Sequence, residues 1–134
     1  MLLKRILFLV AGSVVVLGPI VTSSQTTSRS VNDGVYSTDQ AARGETVYKA
    51  KCGSCHYQAQ FTGEDLMKAW AGKPLSELFD AVRSMPEDNP GSLPVQEYAD
   101  VIAFFLQLNK YPAGSDELPG ADEAMRAILM EPPK

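Results

Sequence analysis

The segment Cys52-Gly53-Ser54-Cys55-His56 constrains this chain more than any other. It reads Cys-x-x-Cys-His, the attachment pattern for a c-type haem. On a helical backbone the two-residue spacing lets each sulfur add to one vinyl group of the porphyrin. The adjacent imidazole then faces the iron from the same side. Cys52 and Cys55 are the only cysteines and His56 the only histidine, so no thiol or imidazole is left for a second site.

Other uses of these residues fit less well. A thioredoxin-like dithiol needs a βαβ setting, which the flanking sequence does not offer. A structural zinc site normally takes four Cys/His ligands, and this chain has three such residues. A disulfide across two residues would be strained and would leave His56 without a role. The motif therefore predicts one covalent haem c, with Cys52 and Cys55 holding the porphyrin and His56 as an axial ligand of the iron.

The N-terminal part reads as an address rather than a fold. Lys4 and Arg5 precede an apolar run from Ile6 to Ile20, and a small polar stretch follows. That is the pattern of a secretory leader, assigned to residues 1–24 with an uncertain cleavage point. The run is short for a span of about 20 residues and contains Pro19. A retained leader acting as a membrane anchor is the alternative; the mature form is otherwise expected to have no membrane span. Export matches the motif, because haem is joined to thiols on the outer side of the bacterial inner membrane. The expected address is the periplasm. Loss of Lys4 and Arg5 would take the net charge from −4 to about −6. An acidic chain argues against nucleic acid as a partner and favours partners with a positive docking face.

Periodicity organises the rest. Residues 25–37 read as a flexible lead-in, 38–114 as the folded domain, and 115–134 as a tail that packs on the domain or on a partner. A helix is expected over Asp39–Lys51, capped by Ser37, Thr38 or Asp39. Gly44 inside it costs about 1 kcal/mol, as a tolerated defect or as the site of a close helix crossing. Gln58–Gly63 reads as a loop. Short helices follow over Glu64–Ala71 and Ser76–Arg83, then an irregular loop with Pro86, Pro90 and Gly91. The strongest helix is Pro94–Asn109, with Ser92 as its expected cap. A last helix is expected over Asp122–Met130, and no strand pattern is evident. So few short helices make a thin core, which leads to an all-α fold packed around the haem. The haem-free chain is expected to fold poorly.

The iron needs a second ligand or an open face. A second histidine is absent, and a methionine thioether suits electron transfer. Met67 lies only 11 positions after His56, in a predicted helix. Met125 and Met130 sit in the tail, where apolar packing is the simpler role. Met85 precedes Pro86 in a loop, 29 positions from His56. At roughly 3.3 Å per extended residue it has ample reach, so Met85 is the expected ligand.

These segments together resemble class I cytochrome c. Gly44-Glu45-Thr46-Val47-Tyr48 leads into the cysteine motif, a Met-Pro loop follows, and an aromatic-rich helix ends the domain. Trp70-Ala71-Gly72-Lys73-Pro74-Leu75-Ser76-Glu77-Leu78-Phe79 is similar to a Trp-x-Gly-x-x-Leu-x-x-Leu-Phe segment of one bacterial branch. That branch comprises periplasmic cytochromes that partner quinoprotein and other dehydrogenases. The resemblance runs from Thr38 to Pro119. It implies that Gly44 and Tyr48 meet the last helix near Tyr98 and Ile102. It places Trp70 either as donor of its indole N–H to a haem propionate or as simple packing. It also implies an electron carrier rather than an enzyme, with a periplasmic dehydrogenase as donor and a cytochrome or terminal oxidase as acceptor. The rival readings are a subunit held stably by a dehydrogenase, and a haem sensor or enzyme with a labile distal ligand. One departure stands out. The 13 residues between His56 and Trp70 contain no proline, where relatives place one whose carbonyl orients the histidine.

Overall fold

In a computed structural model describing residues 28–134, five α-helices pack around an apolar core of two clusters, and two short strands join the first described residues to the C-terminal tail. The helices are α1 (Thr38–Val47), α2 (Gly63–Trp70), α3 (Leu75–Arg83), α4 (Val95–Leu108) and α5 (Asp122–Arg126). Strands β1 (Arg29–Ser30) and β2 (Ile128–Leu129) pair in parallel, Arg29 opposite Ile128 and Ser30 opposite Leu129. This mostly helical arrangement is consistent with the class I cytochrome c fold that the resemblance implied. The expected leader, 1–24, lies outside the described residues.

The chain enters α1 through Ser37, whose hydroxyl accepts from the Gln40 amide at 3.0 Å. After Val47 the helix widens into one π-helical stretch, Tyr48–Cys52. Gly44 is where α1 crosses α4. A Cβ there would collide with the backbone carbonyl of Asp100, so the glycine serves the close crossing. The contacts on α4 begin between Tyr98 and Ile102, near where the resemblance implied, and run on toward the helix end. Gly44 meets Asp100 and Val101, and Tyr48 packs with Phe104 and Phe105. Tyr98 and Ile102 themselves join the larger core with α3 and the tail.

Other elements also depart from expectation. α4 starts after Pro94, with the Glu97 amide closing its first turn on the Pro94 carbonyl at 2.9 Å. Pro94 itself has extended ψ and biases Leu93 away from helical angles, so Ser92 lies too far upstream to cap. Residues Gln58–Phe61 form a 3₁₀ turn rather than an open loop.

The largest difference is at the ends. Beyond the three undescribed residues 25–27, the segment read as a flexible lead-in is packed: Val31, Val35 and Tyr36 are buried. The helix expected to reach Met130 stops at Arg126. The chain then extends, exchanging backbone bonds between Met130 and both Gly72 (2.7 Å) and Lys73 (2.9 Å). Such partners lie far away in sequence, so local periodicity cannot register them. The tail packs on its own domain, with Leu118, Met125, Ile128 and Met130 buried.

A buried polar knot ties the tail to the helix crossing. Gln40 is fully buried; its Nε2 donates to the Leu118 carbonyl at 2.8 Å and to Asp100 at 3.1 Å, and its Oε1 accepts from the Leu118 amide at 2.8 Å. Arg43 bridges Asp100 and Glu117. Each buried group thereby finds a partner, as burial requires.

Candidate functional site

The stretch after α1 brings the motif into position. Hydrogen bonds from the Cys55 and His56 amides to the Cys52 carbonyl, at 3.1 and 2.9 Å, curl the segment into a turn. Tyr48, one helical turn earlier, donates its hydroxyl to the His56 carbonyl at 2.5 Å. A buried tyrosine normally finds such a partner; here the partner is the motif's own backbone. The two thiols are not bonded to each other. Cys55 is exposed and Cys52 is half-buried, and burial pushes the Cys52 thiol above its ordinary pKa.

Cys52, Cys55 and His56 line one wall of a cavity of about 690 Å³. The floor comes from α3 (Leu78, Ala81 and Val82) and from α4 (Tyr98, Val101 and Phe105). The loop after α3 supplies the remaining wall through Met85 to Asp88 and Leu93, and Trp70 stands at the end of α2. The volume falls within the roughly 300–1,000 Å³ of cofactor sites.

The loop carrying Met85 is held at both ends by one side chain. Tyr98 donates its hydroxyl to the Met85 carbonyl at 3.1 Å and accepts from the Leu93 amide at 3.2 Å. Within the loop, the Gly91 amide reaches back to the Arg83 carbonyl at 2.9 Å, with Gly91 at φ +71°, a conformation glycine adopts without strain. The periodicity of α4 marks Tyr98 only as an apolar position. Its hydroxyl, on a buried face, was the available sign of this bracing role.

All five residues singled out from sequence therefore meet at one cavity: Cys52, Cys55, His56, Met85 and Trp70. The other described methionines do not line it. Met125 and Met130 are fully buried in the core, and Met67 is packed beside it. Trp70 is half-buried, with the Lys73 ammonium 5.0 Å from its ring centre. Phe61, which sequence reasoning passed over, stands against the His56 ring, their centres 5.6 Å apart.

The donor set fits a covalent haem. Two thiols, one imidazole and one thioether border an otherwise largely apolar hollow, the combination a thioether-linked porphyrin needs. It does not fit a zinc cage. Among the described residues no group of three or more His, Cys, Asp or Glu side chains converges as metal ligands.

A family model described as cytochrome c oxidase, cbb3-type, subunit III matches residues 39–105. Every residue lining the cavity lies within that span. Comparison with curated proteins and with solved structures finds no match.

Proposed function

The chain belongs to the family of c-type cytochrome domains typified by cytochrome c oxidase, cbb3-type, subunit III, carries covalent haem c and is an electron carrier; on that footing we propose a periplasmic single-haem shuttle. It takes electrons from a periplasmic dehydrogenase and delivers them to a cytochrome or terminal oxidase. The bound haem supplies a one-electron iron couple whose potential the protein tunes. Cys52 and Cys55 are the anchoring thiols, His56 the proximal ligand and Met85 the distal one. Trp70 lines the cavity, and in this proposal its indole N–H donates to a propionate or its ring simply packs against the porphyrin.

The observation that carries this reading is the meeting of His56 and Met85 at one apolar cavity, across 29 positions of sequence. Haem iron held by both His56 and Met85 would suit electron transfer rather than substrate turnover, and the apolar walls would keep water from it. Tyr48 holds the backbone on the histidine side and Tyr98 braces the methionine loop, so a tyrosine from a helical segment supports each ligand's backbone.

Residues 1–24 act as the export leader in this proposal. Among the described residues no helix is long and apolar enough to cross a membrane. Docking is transient and surrounds the cavity mouth, with the acidic chain steering toward a basic partner face.

The family description favours one second reading, a subunit held by an oxidase. Tagged full-length protein purified from a maturation-competent bacterium separates the two. A shuttle emerges alone, reducible by a periplasmic dehydrogenase fraction and reoxidised by oxidase-containing membranes. A fixed stoichiometric complex would overturn the shuttle. Colourless protein after denaturation and acid-acetone washing, with the mass of the bare polypeptide, would overturn the haem attachment.

A further inference from the structure

Metal-bound imidazoles turn about their bond to the metal unless neighbouring groups restrain the ring. The neighbour placed against the His56 ring is aromatic. Phe61 ends the 3₁₀ turn after the cysteine motif, its ring centre 5.6 Å from that of His56 and its plane inclined by 61°. This near edge-on approach is a favoured arrangement of aromatic rings.

Phe61 is itself fixed on several sides. Its ring stacks on Phe105 at 4.3 Å with only 10° between planes. Tyr48 presents an edge to it at 6.1 Å and 85°. The backbone is fastened by Asn109, at the C-terminal end of α4. The Asn109 amide donates to the Phe61 carbonyl at 2.8 Å and to the Phe105 carbonyl at 2.7 Å, while its oxygen accepts from the Gly63 amide at 2.7 Å. One side chain thus ties the turn to the helix end and aligns Phe61 with the Phe105 ring beneath it. Tyr48 meanwhile holds the His56 carbonyl, so the histidine backbone and ring are gripped by the same aromatic group.

We infer that Phe61 is a positioning residue for His56 and that Asn109 is the clamp that makes it one. The end of α4 sets the plane of the imidazole through a rigid aromatic wall. The inference rests on the reading of His56 as the iron ligand. A residue that only filled space would support the fold without selecting a ring plane; a stacked, clamped ring selects one.

The test uses full-length holoprotein in the ferric state. Electron paramagnetic resonance reads the ligand field, and the hyperfine-shifted ring protons of His56 in NMR read its plane. Phe61→Leu keeps apolar bulk and removes the ring. Asn109→Ala keeps the ring and releases its clamp. Phe61→Tyr restores the ring. Phe104→Leu is the control: Phe104 belongs to the same cluster, with its aromatic contacts to Tyr48 and Phe105. The expected result is a shift of the g values and the His56 resonances in Phe61→Leu, a smaller shift in Asn109→Ala, and return to the parent values in Phe61→Tyr. Phe104→Leu lowers thermal stability and leaves both signals in place. Parent values in Phe61→Leu holoprotein, or equal shifts in Phe104→Leu, would overturn the inference. If Phe61→Leu yields no holoprotein, Asn109→Ala decides, and unchanged signals there reject the clamp. A parent spectrum lacking histidine ligation would instead overturn the ligand assignment.

Discussion

Met85 is distinguished from the chain's other methionines by what surrounds it. It lines the same apolar cavity as His56, while Met125 and Met130 are sealed in the core. Replacing it tests the distal ligand directly. Ferric Met85→Ala holoprotein is expected to lose the methionine–iron charge-transfer band, and the ferrous form to bind carbon monoxide at neutral pH. An unchanged visible spectrum would rule Met85 out. Gly44 makes a different residue-scale demand. An added methyl group would meet the Asp100 carbonyl, a backbone atom that cannot rotate away. Overpacking usually costs about 1–3 kcal/mol, and a backbone obstacle places Gly44→Ala at about 3 kcal/mol. Denaturant midpoints of the two holoproteins measure it; a loss below about 1 kcal/mol would mean that α1 and α4 part easily.

At the scale of elements, the terminal segments do more than sequence patterning suggests. α5 and β2 close over α3 and give Met125 and Ile128 to the core, while β1 pairs with β2. Tyr111 sits at this seam and donates its hydroxyl to the Glu131 carbonyl at 2.5 Å. Burial, then the nearby Glu131 charge, pushes its hydroxyl from the ordinary 10.0 up to about 12. Burial raises Tyr36 in the same direction. A pKa raised on folding adds stability below the unfolded value, and that stability is lost as pH climbs through the folded one. The protein is therefore expected to weaken between pH 10 and about 12. Tyr111→Phe is expected to cost about 1 kcal/mol at neutral pH and to flatten the alkaline decline, with the Tyr36 contribution remaining. Denaturation curves across that window would show it, and a parallel decline in both proteins would refute the assignment.

For the whole molecule, the question is how much of the fold the haem sustains. The core has two parts: a large cluster of α1, α3, α4 and the tail, and a smaller aromatic one around Tyr48, Phe104 and Phe105. The cavity borders both, and closing or flooding a hollow of about 690 Å³ is unfavourable. In a Cys52→Ala/Cys55→Ala chain, hydrogen exchange is expected to speed most in α2, the 84–93 loop and the motif turn. The α1–α4 crossing and the tail, joined through Gln40, are expected to retain the slowest amides. Uniform protection matching the holoprotein would show that haem contributes little to folding. The acidic net charge of −4 belongs to this scale as well. It influences encounter rates with partners and their salt dependence, but not the fold.

The attachment chemistry and the helix inventory were legible without coordinates, because both are local. Cys52, Cys55 and His56 sit within five positions, and the apolar stripes of α2, α3 and α4 repeat at short helical intervals. The helix ends were read less well where a proline or a distant strand intervened, as at Ser92 and after Arg126. Tertiary structure decided the rest. It brought Met85 to the same cavity as His56, set Phe61 against the imidazole, seated the Asp100 carbonyl against Gly44, and buried side chains of both 28–37 and 115–134 in the core. Each of these depends on a partner that sequence spacing does not specify, up to about a hundred residues away in the Arg29–Ile128 pairing. Local pattern selects a helix and the chemistry of its side chains; only the packed chain decides which of those side chains meet.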